Sequence, residues 1–172
     1  MLKHGFDMHR IYISGPGDLN AEKQACREAI SNVNENSAMP AKVLLVSVGL
    51  PQEEAVNEFR SAVSDNIRQC SFYIQIFEDD WGPRDLCRKL FDLACDARHD
   101  DGLPMREVLI CLKDAPRETD PQILAFRKEL QELPDVTVFP FTHTEQVKAK
   151  VIEVASGWVS TLLSENPQSA QI

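Results

Sequence analysis

The stretch Ile11-Tyr12-Ile13-Ser14-Gly15-Pro16-Gly17-Asp18-Leu19 decides the reading of this chain. A short apolar run enters a Gly-Pro-Gly turn, and an acid follows where a helix would begin. Asp18 is the predicted N-cap, with Glu22 in the first turn. Strand, tight turn and helix form the opening of an α/β unit. The space beyond the carboxyl end of its strand is where open α/β sheets receive ligands. Two glycines in the turn let the backbone approach closely whatever lies there.

The same alternation repeats outward from that stretch. The first strand is read over residues 9–14, and its helix runs from Asp18 to about Asn34 on a stripe of Cys26, Ala29, Ile30 and Val33. Asn34 to Ser37 and Pro40 are predicted to break that helix. Residues 42–48 are valine-rich and nearly all apolar, the pattern of a strand covered on both faces. A second helix carries Val56, Phe59, Val63 and Ile67 on one side, and residues 71–77 form the third strand. Residues 78–84 are a polar turn; the third helix follows over residues 85–98 with Cys87, Leu90, Phe91 and Ala94 inward. A fourth strand spans residues 107–112, and Asp120-Pro121 opens a helix with a cap and then Pro at the first position. Its stripe is Ile123, Phe126, Leu130 and Leu133. Pro140 in the fifth strand, residues 136–141, points to a sheet edge. The last helix, residues 144–164, turns Val147, Val151, Val154, Trp158 and Leu162 inward.

Five strands alternating with five helices imply right-handed crossovers and a parallel sheet covered on both faces. The predicted fold is a single α/β, doubly wound, flavodoxin-like five-stranded sheet of order 2-1-3-4-5. Residues 1–8 are read as a loose N-terminal arm, 9–165 as the domain and 166–172 as a polar tail. That order sets the Gly-Pro-Gly turn and the Asp79-Asp80-Trp81 turn face to face across one crevice.

Composition narrows the function. A length of 172 residues suits one domain with a substantial core, and the net charge of −9 argues against nucleic acid or anionic lipid as partners. No apolar stretch approaches the roughly 20 residues of a membrane span, and the start carries no secretory pattern. Five scattered cysteines without CxxC spacing fit a reduced, cytoplasmic protein. The histidines lack ligand spacing, so no metal is expected, and no GxSxG nucleophile elbow is present.

The crevice supplies the candidate residues. Ser14, Gly15 and Gly17 offer backbone N–H groups and a helix start to phosphate or ribose oxygens, or else simply make the turn. Glu78, Asp79 and Asp80 suit a metal ion, ribose hydroxyls or acid–base work, or are a solvated turn; with no histidine or further carboxylate grouped with them, the turn is the favoured reading. Trp81 offers a platform for a flat ring, or packs beneath the third helix.

Residues 10–23, Arg-Ile-Tyr-Ile-Ser-Gly-Pro-Gly-Asp-Leu-Asn-Ala-Glu-Lys, resemble the "VFVSSPGDVxxER" opening of TIR-like domains that accompany bacterial signalling (STAND) NTPases. Residues 69–77 are similar to the family's "xxxDxxIxIxW" strand, Trp81-Gly82-Pro83 to its glycine turn, and residues 90–94 with 108–113 to "EFxxA…ILVYxK". The resemblance implies the same doubly wound fold. It also implies self-association for signalling and, in some members, cleavage of NAD at the nicotinamide ribosyl bond. Active relatives use a glutamate early in the third helix, where this chain has Arg88, Lys89 and Leu90. Asp79, Asp80, Asp85 and Asp92 remain as candidate catalytic carboxylates. A weaker likeness is to nucleoside deoxyribosyltransferases, whose "YxAGP" start Tyr12 to Pro16 resembles.

The expectation is therefore a TIR-like signalling and protein-interaction module without NAD cleavage, with a residual crevice for NAD or another nucleotide. The alternative is an enzyme of N-glycosidic bonds, an NAD glycohydrolase or a nucleoside transferase. A protein partner or a second copy is the expected partner.

Overall fold

The computed structural model describes residues 5–49, 61–82 and 85–165. Its strands are β1 (Asp7–Ser14), β2 (Val43–Val48), β3 (Phe72–Phe77), β4 (Glu107–Lys113) and β5 (Val136–Phe141). Its helices are α1 (Asn20–Val33), α2 (Ser61–Arg68), α3 (Leu86–Arg98), α4 (Pro121–Glu132) and α5 (Thr144–Glu165). The sheet order is β2-β1-β3-β4-β5, and every neighbouring pair is parallel. This is the doubly wound α/β sheet of order 2-1-3-4-5.

Side chains alternate across the sheet as the period of 2 requires. Ile11, Ile13, Phe72, Ile74 and Ile76 face α1 and α5, where Trp158 stacks on Phe72 at 4.1 Å and 7°. Tyr12, Tyr73, Phe77, Val108 and Ile110 face the layer of α2, α3 and α4. β3 lies in the middle of the sheet and is buried at every position, whereas β2 and β5 at the edges alternate or stay half-covered.

Several boundaries differ from the sequence reading. β1 begins at Asp7, because Asp7 and Met8 pair with Val43 and Leu44, so the last part of the predicted arm is strand. Residues 1–4 and 166–172, with Val56 and Phe59, lie outside the described residues. Asp18 does not cap a helix: a 3₁₀ turn over Gly17–Leu19, closed by Leu19 N–H donating to Pro16 O, leads into α1 without a side-chain cap. At the other end Asn34 does not stop the coil. α1 widens into a π turn over Asn34–Ala38 and a 3₁₀ turn over Met39–Ala41, and Lys42 at φ 65° finally reverses the chain.

The reason is tertiary. Asn34 Nδ2 donates to Leu45 O at 2.8 Å, and Leu45 N–H donates to Asn34 Oδ1 at 2.9 Å. One side-chain amide thus satisfies the outward N–H and C=O of Leu45, as a neighbouring strand would at that position. β2 is an edge strand, as the order 2-1-3-4-5 requires. Two other sequence signals stand as read. Asp120 Oδ1 accepts from Gln122 N–H at 2.9 Å to cap α4, and Pro140 sits on edge strand β5.

Candidate functional site

The carboxyl ends of β1 and β3 lie side by side, with Ser14 in register with Gln75. Burial is the larger cause of the raised pKa values of Glu78 and Asp79 in the turn after β3, but the Asp18 carboxylate of the turn after β1 also raises them. A Cβ at Gly15 would stand 3.2 Å from Ile76 Cβ, so a larger residue there would push Ile76 back by a few tenths of an ångström. Lys23 on α1 donates to Gly15 O at 2.9 Å and ties the turn to its own helix. Gly82, at φ 79°, takes the left-handed backbone that the second turn requires.

A buried polar group lies beneath this end of the sheet on the α3 side. Tyr73 hydroxyl donates to Gln75 Oε1 at 2.6 Å, and Gln75 Nε2 donates to Ile76 O at 3.0 Å. Tyr12 stacks on Tyr73 at 5.7 Å and 11°. The Ser14 hydroxyl and the Cys87 thiol complete the group. Ser14 lowers the pKa values of Tyr73 and Cys87 against the dominant effect of burial, without reaching hydrogen-bond geometry to either. Tyr12 Oη and Ser14 Oγ are buried without a hydrogen-bond partner among the described residues. Burial, helped by Cys70 and Cys87, pushes the Tyr12 hydroxyl far up. Burial likewise holds Tyr73 and Cys87 in their neutral forms. This group therefore offers neutral donors and acceptors rather than an ionised nucleophile.

The rim is charged. Glu22, 3% exposed, accepts from Lys113 Nζ at 2.9 Å, and the same ammonium lies 3.7 Å from Glu78. Arg127 donates to Glu78 O at 2.6 Å. Burial first, then Asp79, raises Glu78; burial first, then Glu118 and Asp18, raises Asp79. The hydrogen bond to Glu22 raises Lys113.

The candidate carboxylates are dispersed. Asp79 is half-buried on the rim. Asp80 is exposed, and its Oδ1 accepts from Gly82 N–H at 3.0 Å, closing the turn. Asp85 is exposed at φ 55° just before α3. Asp92 is exposed and paired with Arg88 at 3.2 Å along α3. Trp81 packs against Phe77 and Phe126 at 4.2 and 4.3 Å. The Arg88 guanidinium lies over the same ring, so the indole is occupied by packing. Tyr73, Gln75, Glu22 and Lys113 were not among the sequence candidates. A glutamine inside the apolar run Phe-Tyr-Ile-Gln-Ile-Phe was the one signal that could have pointed to the buried polar group.

Among the described residues no group of three His, Cys, Asp or Glu is placed to hold a metal ion, and no helix is long and apolar enough to cross a membrane.

Among solved structures, the chain is similar to the crystal structure of a flavodoxin-like domain from Synechococcus sp. The TM-score is 0.50 and the identity 12%, over 88% of this chain and 99% of that one. At that identity the likeness concerns the fold alone. No family model and no curated protein matches the chain.

Proposed function

We propose that this chain is a TIR-like signalling module that works through contacts with a protein partner or a second copy and does not cleave NAD. One observation carries the reading. On α3, Cys87 is buried in the same cluster as Tyr12 and Tyr73, whereas the helix's acids, Asp92 and Asp96, are exposed. The position after Cys87, Arg88, is turned to Trp81, Phe126 and Asp92. A developing oxocarbenium centre needs an acid within reach of the ribose. A neutral buried thiol supplies no such charge. The rim acids Asp79 and Asp80 are the residues left to contact ribose hydroxyls, and Ser14 and Gly15 those left for phosphate. Phe6 and Met8, exposed on one face at the start of β1, supply apolar contacts for a partner.

The test is incubation of the purified protein with NAD and with deoxynucleosides, read by chromatography, beside light scattering across a concentration series. The proposal expects no nicotinamide or free base and a mass that grows with concentration or on adding the partner. Release of either product, abolished by Asp79→Asn or Asp80→Asn, would establish the N-glycosidic enzyme instead.

A further inference from the structure

We propose that a cavity at the amino end of the sheet binds a small carboxylate with an apolar body, held by Arg98. The cavity, about 260 Å³, lies between the end of α3 and the starts of β4 and β5, at the opposite strand ends from Ser14. Val108, Leu133 and Val136 form apolar walls, and Cys95 adds a sulfur face. That thiol is neutral: burial, reinforced by Asp92 and Asp96, pushes it up to about 12. Pockets for drug-sized ligands run from roughly 300 Å³ upward, so a cavity of about 260 Å³ limits its occupant to a molecule smaller than those.

The polar side of the cavity identifies the ligand's head. Half-buried cations elsewhere among the described residues are engaged. Lys23 donates to Gly15 O, Arg88 pairs with Asp92, Lys113 with Glu22, and Arg127 donates to Glu78 O. Lys150 is within reach of Glu153. Arg98 is equally half-buried, lines the cavity, and has no hydrogen bond, ion pair or ring contact among the described residues. The acid beside it, Asp135, pairs with His99 at 3.3 Å. The carbonyl end of α3 offers Arg98 about half a negative charge, less than a counter-ion. A guanidinium partly withdrawn from water gains most from a planar anion that meets its fork in two hydrogen bonds. Asp135 shares the cavity wall, so one negative charge on the ligand is tolerated better than the two of a phosphate.

Benzoate and its uncharged counterpart benzamide test the assignment by amide chemical shifts on the full chain. Benzoate is expected to move the signals of Arg98, His99, Val108 and Val136 and to slow alkylation of Cys95, with benzamide at least tenfold weaker. Arg98→Gln should bring benzoate down to the benzamide level. Equal binding of the two probes, no shift at the cavity with either, or a benzoate preference that survives Arg98→Gln would overturn the proposal. The comparison of the two probes on the unaltered protein does not depend on the variant folding, nor on the reading of the crevice at the other end.

Discussion

Replacing Asn34 with alanine should destabilise the protein and open one edge of its sheet. The amide makes two hydrogen bonds, at 2.8 and 2.9 Å, to the carbonyl and N–H of one residue, Leu45, which is 2% exposed. Each such bond contributes about 0.5–1.5 kcal/mol net, so the pair is worth roughly 1–3 kcal/mol. Near the middle of that range, about 2 kcal/mol, the loss corresponds to a fall in Tm of roughly 4–8 °C for a chain of this size. In urea the midpoint should fall by about 1 M with an unchanged slope. Asn34→Asp separates the contributions. It keeps the acceptor for Leu45 N–H but turns a carboxylate toward Leu45 O, and should cost at least as much as alanine at pH 7. The second consequence concerns assembly. Val43 to Val48 carry no charged residue, and Asn34 occupies the edge where another strand would pair. Light scattering should show concentration-dependent association of Asn34→Ala beyond that of the parent. A loss below about 0.5 kcal/mol would refute the reasoning, because water would then be satisfying Leu45 as well as the amide does.

Lys113→Met should cost up to about 3 kcal/mol, since it leaves the nearly buried Glu22 without its cation. Adding Glu22→Leu to that variant should restore much of the loss, and chemical denaturation of the single and double variants reads the coupling. Asp79→Asn should raise Tm at pH 7. Burial, with Glu118 and Asp18, lifts the Asp79 pKa above its ordinary 3.8, so the folded state binds the proton more readily than the unfolded one. Stability is therefore lost as pH rises through the interval above 3.8, and the gain from asparagine should vanish once pH falls below it. A gain that persists at low pH would point to packing rather than charge.

Much of the fold was legible because it rests on short-range rules. The apolar stripes of α3, α4 and α5, the Asp120-Pro121 start and Pro140 on an edge strand each follow from residues within a turn or two. Alternation of strand and helix then left few topologies, and the order 2-1-3-4-5 sets the carboxyl ends of β1 and β3 side by side. The candidate site was legible only in position. Ser14 stands in register with Gln75 at the ends of β1 and β3, but Trp81 is taken into packing by Phe77 and Phe126, and Asp92 pairs with Arg88 on an exposed side of α3.

What the sequence by itself determined is the kind and order of the elements, because periodicity, capping and turn chemistry act between near neighbours along the chain. Only the tertiary structure decided which polar groups meet. Glu22 finds Lys113 across 91 positions, and Ser14 comes beside Gln75 through strand register. Asn34, which reads as a helix breaker, bonds to an edge strand because Leu45 is brought alongside it. Buried polar groups must be matched wherever packing leaves them, and that partner is set by distance in space, which separation in sequence does not encode.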